Sequence, residues 1–74
     1  MSGNDYCVVL FDSVSSTLLA EKILKKQGIP HKVIPVPRHI SSECGVCIRF
    51  SSRVRTDIEP ALAGKVDFQD IRAL

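Results

Sequence analysis

The residue types that could do chemistry in this 74-residue chain gather around Cys44-Gly45-Val46-Cys47. The run from Pro35 toward this pair also holds Arg38, His39, Ser41 and Ser42, and Arg49 stands just beyond it. A thiol reacts as its thiolate, so reactivity needs exposure together with positive charge or N–H donors nearby. Arg38, His39 and Arg49 are candidates to supply the charge. Ser41, Ser42 and backbone N–H groups at a turn could donate hydrogen bonds. Gly45 lets a reactant approach the backbone closely. Glu43 works in the other direction by adding negative charge alongside. Cys44 is therefore the candidate reactive thiol and Cys47 its candidate assistant.

C-x-x-C alone is a weak signal, so its context decides. A thioredoxin-like pair sits where a helix begins, because the helix N-terminus lowers the first thiol's pKa. This pair runs into a strand. A ferredoxin-like metallochaperone carries its pair between the first strand and first helix, where this chain has Asp12 and Ser13. Zinc needs about four ligands. Cys44, Cys47 and His39 are candidates, and His31 would have to be the fourth. Without a second C-x-x-C such a site is thinly provided, so metal binding through Cys44 and Cys47 stays an alternative, and no metal or cofactor is expected. In the bland reading both thiols are incidental and the loop is a turn.

The elements that must position these residues follow from periodicity. Residues 6–11 form an unbroken apolar run, expected as a central strand, with Cys7 inside it as a small buried hydrophobe. Residues 12–16 are rich in helix N-caps, and a helix is expected to about Gln27. Leu19, Ala20, Ile23 and Leu24 share its apolar face, Leu18 falls on the charged side, and Gly28 and Pro30 end it. Residues 31–36 form a second strand, at an edge because Pro35 and Pro37 cannot donate to a ladder. His31 reads as a solvated strand start. Residues 45–50 alternate cleanly, with Val46, Ile48 and Phe50 on one face and Cys47 and Arg49 on the other. Thr56-Asp57-Ile58-Glu59 is a capping-box pattern that places Pro60 in a first helical turn. Gly64 closes that helix, and a last strand is expected from Val66 to about Leu74.

The order β-α-β-β-α-β predicts an α+β fold, a two-layer ferredoxin-like sandwich. Two helices cover one face of a four-stranded antiparallel sheet whose first and third strands are central, and the other face is open or paired. Residues 1–74 make one domain with a modest core, which favours carriers, binding modules and subunits over deep-pocket enzymes. A net charge of +2 gives no footprint for nucleic acid, and 5% aromatic content supplies few stacking platforms. No stretch approaches membrane-spanning length, and three cysteines are too few for a disulfide scaffold. A cytoplasmic, reducing setting is expected.

The run Val9-Leu10-Phe11-Asp12-Ser13, then Gly28-Ile29-Pro30, Val36-Pro37-Arg38, Ile40-Ser41-Ser42-Glu43-Cys44-Gly45 and Ile48-Arg49-Phe50 resembles the putative selenium/sulfur carrier protein-like family of small bacterial domains. Pro-x-x-Ile-Ser-Ser-x-Cys-Gly is the most specific part. The resemblance implies that Cys44 holds sulfur or selenium as a persulfide or selenosulfide. It implies a donor protein, such as a cysteine desulfurase, and an acceptor enzyme, and a carrier rather than an independent enzyme. Cys47 lies outside the family's core pattern. It could attack a loaded Cys44 if the loop bends. The alternative from another class is a non-catalytic protein-interaction or regulatory module. An open sheet face would also allow a homodimer.

Overall fold

An apolar run with no polar side needs cover on both sides, and the first strand has it. The computed structural model describes residues 5–40 and 45–74. In β1 (Tyr6–Leu10), Val8 and Val9 point to opposite faces and are both 0% exposed. The chain continues through α1 (Val14–Lys26), β2 (Lys32–Pro35), β3 (Val46–Ser51), a 3₁₀ turn (Ser52–Val54), α2 (Arg55–Leu62) and β4 (Asp70–Ala73). The four strands form one antiparallel sheet in the order β2-β3-β1-β4. The fold is α+β, with β1 and β3 inside and β2 at an edge, where Pro35 does least harm to the ladder.

Both helices pack on one face. Ala20 and Leu24 of α1 and Ile58, Ala61 and Leu62 of α2 meet Cys7, Val9, Ile48 and Phe50, with Phe11 and Val66 completing the cluster. Ser13 caps α1 by accepting the Ser16 N–H at 3.2 Å. At the other end Gly28 takes φ +73°, Ile29 N–H donates to Leu24 C=O, and Gly28 N–H donates to Lys25 C=O. That pair of bonds is a Schellman motif, and Lys25 and Lys26 sit favourably at the negative end of the helix dipole.

Several expectations change. Leu19 is 46% exposed, and Thr17 takes the buried position beside Ala20. Thr17 can do so because its hydroxyl donates to Ser13 C=O. The capping box at Thr56 is not used. Ser51 caps the 3₁₀ turn by accepting the Arg53 N–H, and the chain enters α2 at Arg55 without a side-chain cap. Pro60 consequently lies inside α2, which denies Thr56 C=O its helical donor. The helix ends three residues on, where Ala63 and Gly64 (φ +76°) form a type II turn closed by Lys65 N–H to Leu62 C=O. The last strand is shorter than expected, because Val66 leaves the sheet line to fill the helix-side core.

The second sheet face is also partly covered, by the chain itself. Val8, Leu10 and Cys47 pack under Ile40, with Ile34 and Val36 alongside. The expectation of an open or partner-covered face thus fails over this half of the sheet. No helix among the described residues is long and apolar enough to cross a membrane.

His31 is not a solvated strand start. Its side chain is 8% exposed, with Nδ1 2.7 Å from Ile29 C=O and Nε2 2.8 Å from the Glu21 carboxylate. Both partners are acceptors, so the pair satisfies every bond only when it carries two protons on the ring, or one there and one on the carboxyl. The contact ties the start of β2 to the middle of α1. His31→Ala is expected to lower stability by about 1 kcal/mol or more, from the loss of two part-buried hydrogen bonds and the packing of the ring. Urea unfolding of the variant checks this, and an unchanged midpoint would refute it.

Candidate functional site

The β2–β3 connection begins with a strand that cannot continue. Pro35 still pairs with Val46, and Val36 N–H donates to Gly45 C=O at 3.1 Å, after which Pro37 has no N–H to offer. The chain turns at once, with Ile40 N–H donating to Pro37 C=O at 3.0 Å. This four-residue turn puts Arg38 and His39 at its exposed centre and drops Ile40 back onto the sheet, where it is 5% exposed. Burying such a side chain contributes about 1.5–3 kcal/mol, enough to hold the loop against the sheet face. Ser41, Ser42, Glu43 and Cys44 lie outside the described residues. Their flanks are fixed: Ile40 is seated in the second core, and Gly45 begins the return beside Val36.

Cys47 is not at the surface. It is 0% exposed, in β3, beneath Ile40 and beside Val8 and Leu10. Cys7 is likewise buried, on the helix side. Each thiol stands where a small apolar side chain belongs, one in each core.

Arg49 points away from the loop. Its guanidinium lies 4.6 Å from the centroid of the Tyr6 ring, and Tyr6 is opposite Ser51 at the far end of β3. Gly45 and Arg49 are four strand positions apart, roughly 13 Å along the strand. Of the three expected cationic neighbours, Arg38 and His39 lie in the turn that leads in sequence to residues 41–44, and Arg49 lies at the other end of β3. His31 immediately precedes β2 at the end of the sheet remote from the loop, and both its ring nitrogens are engaged. The four-ligand metal reading therefore loses His31, and the described residues hold no group of three or more metal-ligating side chains.

Gly45 is exposed and takes no positive φ, and a Cβ built there would meet no atom of the described residues within 4 Å. Packing and backbone among the described residues do not require a glycine there. One concavity, about 480 Å³, lies between the end of α1 and α2, with Asp57 the ionisable group among its described lining residues. A second, of about 350 Å³, involves Tyr6 and Arg49 at the remote strand ends. Neither is lined by Arg38, His39 or Gly45.

A family model described as "Putative Se/S carrier protein-like" matches residues 6–71, nearly the whole chain. The chain belongs to this family. The match runs from the first residue of β1 into β4, so it takes in three strands, the start of the fourth and the loop that carries Cys44. No curated protein and no solved structure matches the chain.

Sequence reasoning missed three contacts: the Ile40 anchor, the His31–Glu21 pair and the stacking of Arg49 on Tyr6. Only the first left a signal, a lone isoleucine at a fixed step after proline in an otherwise polar loop.

The burial makes a labelling prediction. In the native reduced protein, Cys7 and Cys47 are expected to resist iodoacetamide and to react only on unfolding. Ile40→Ala is expected to cost about 2–4 kcal/mol and to let Cys47 react under native conditions. Intact-mass analysis over time reads both, and fast native labelling of Cys47 in the unsubstituted protein would overturn the assignment.

Proposed function

We propose that this protein carries sulfur or selenium on Cys44, with Cys47 serving the core rather than the chemistry. The observation that supports the reading most is the family match across the loop, joined to the way that loop is held. The Val36–Gly45 bond and Ile40 hold it to the sheet, and Arg38 and His39 are exposed in the turn that precedes, in sequence, the segment containing Cys44. A carrier needs an accessible thiol on a small rigid body, and it needs no enclosed pocket.

In the transfer step the Cys44 thiolate attacks the terminal sulfur of a donor persulfide, such as one on a cysteine desulfurase. A new S–S bond forms at Cys44 and the donor's S–S bond breaks. The electron pair leaves on the donor's inner sulfur as a thiolate, and the terminal sulfur keeps its proton. An acceptor enzyme then takes the terminal atom by the same exchange. A cytoplasmic, reducing setting keeps the empty carrier as a thiol. Cys47 is 0% exposed beneath Ile40, so the carrier reading is built on Cys44. Gly45, the residue after Cys44 in sequence, lets a partner approach the backbone closely there.

The fold in this reading is the split-βαβ, ferredoxin-like sandwich. What supports it is the inner placement of β1 and β3, with the following helices over one face. Partner docking has support at the same end of the sheet. Val14 and Leu18, one helical turn apart at the start of α1, are 51% and 56% exposed. These residues also suit the second reading, a non-catalytic interaction module, which predicts that Cys44→Ser leaves partner binding intact.

The test is the mass of the reduced protein after incubation with a cysteine desulfurase and cysteine. Native protein and Cys47→Ala are expected to gain one sulfur that a reductant removes, and Cys44→Ser none. No gain in the native protein, or a gain that survives in Cys44→Ser, would reject the carrier reading.

A further inference from the structure

Three cations line up across the sheet on the face away from the helices. Lys32 of β2 is directly opposite Arg49 of β3, Arg49 is opposite Val8 of β1, and Val8 is opposite Arg72 of β4. Residues directly opposite across an antiparallel ladder share a face, and like charges so placed repel. Among the described residues no carboxylate lies within 4.0 Å of any of the three, since the ion pairs there are His31–Glu21 and Arg55–Glu59. Lys32 and Arg49, directly opposite each other, therefore repel unless something anionic sits between them.

The geometry at Lys32 and Arg49 is that of a binding site. The two residues border an open cleft of about 350 Å³, together with Tyr6, Pro30, His31 and Ser51. Arg49 is half-buried and its guanidinium stacks on Tyr6, which fixes the plane of the group and leaves its in-plane N–H donors for another acceptor. Lys32 adds three donors, and the Ser51 and Tyr6 hydroxyls add one each. His31 contributes wall rather than donors, because Ile29 C=O and Glu21 occupy its nitrogens. We propose that this cleft binds an oxyanion, the phosphate or carboxylate group of a small ligand, through Lys32 and Arg49. It lies at the far end of β3 from Gly45 and does not depend on the carrier chemistry.

The chain has one tyrosine, Tyr6, and no tryptophan, so intrinsic fluorescence reads this cleft. Inorganic phosphate and, separately, acetate are titrated against sodium chloride of equal ionic strength. A saturable change with either oxyanion is expected, and the tighter of the two identifies a phosphorylated or a carboxylate ligand. The apparent affinity should fall about tenfold or more in Lys32→Gln and in Arg49→Gln, the loss of one charge-assisted bond. It should hold in Lys65→Gln, which removes an exposed charge outside the cleft. Should Arg49→Gln not fold, Lys32→Gln decides, since its side chain is exposed. A chloride response equal to that of the oxyanions, or a Lys32→Gln response equal to the native one, would overturn the proposal.

Discussion

The structure depends on the pairing of β1 with β3. These are the inner strands, each with a buried residue on both sides, and they must be covered twice by a chain of 74 residues. Two short helices suffice for one face only. The second face is covered where Val8, Leu10 and Cys47 would otherwise meet water, and the cover is the β2–β3 loop. One loop thus does two things. Its first half is packing, through Val36 and Ile40, and its second half carries the cysteine that the family match encompasses.

That division accounts for the order of residues in the loop. Proline stops the ladder at Pro37, a turn reverses the chain, and isoleucine fastens it. Only then come Ser41, Ser42, Glu43 and Cys44. The thiol is placed after the anchor and before the strand, between two fixed points. The charge that could serve it comes from the turn, from Arg38 and His39. Arg49 faces the other end of the sheet, where it stacks on Tyr6 beside Lys32. The two ends of the sheet therefore have separate chemical characters, a thiol-bearing loop at one and a cationic cleft at the other.

Much of the architecture was legible because period and punctuation agree. Ile48 and Phe50 alternate with Cys47, and Gly28 with Pro30 marks the end of α1. What escaped was set by tertiary contact. Thr17 is buried in place of Leu19 because its hydroxyl finds the Ser13 carbonyl within its own helix. Ser51 captured the start of the second helical region ahead of Thr56, and no propensity distinguishes those two caps. His31 looked solvated because the carboxylate that holds it is ten residues earlier in sequence, on α1. Within the candidate site, Cys44 and its glycine stand out in the sequence. The burial of Cys47 depends on Ile40, which periodicity cannot place because it belongs to no strand or helix.

The sheet order also brings the two ends of the described chain together. Leu74 N–H donates to Tyr6 C=O at 2.9 Å, since β4 pairs with β1 at the edge. The ends meet beside the start of β1, whereas the cysteine loop leaves from the opposite ends of the strands. A short bridge could join them without distorting the sheet, and the chain could then be opened elsewhere, which makes this a natural scaffold for circular permutation.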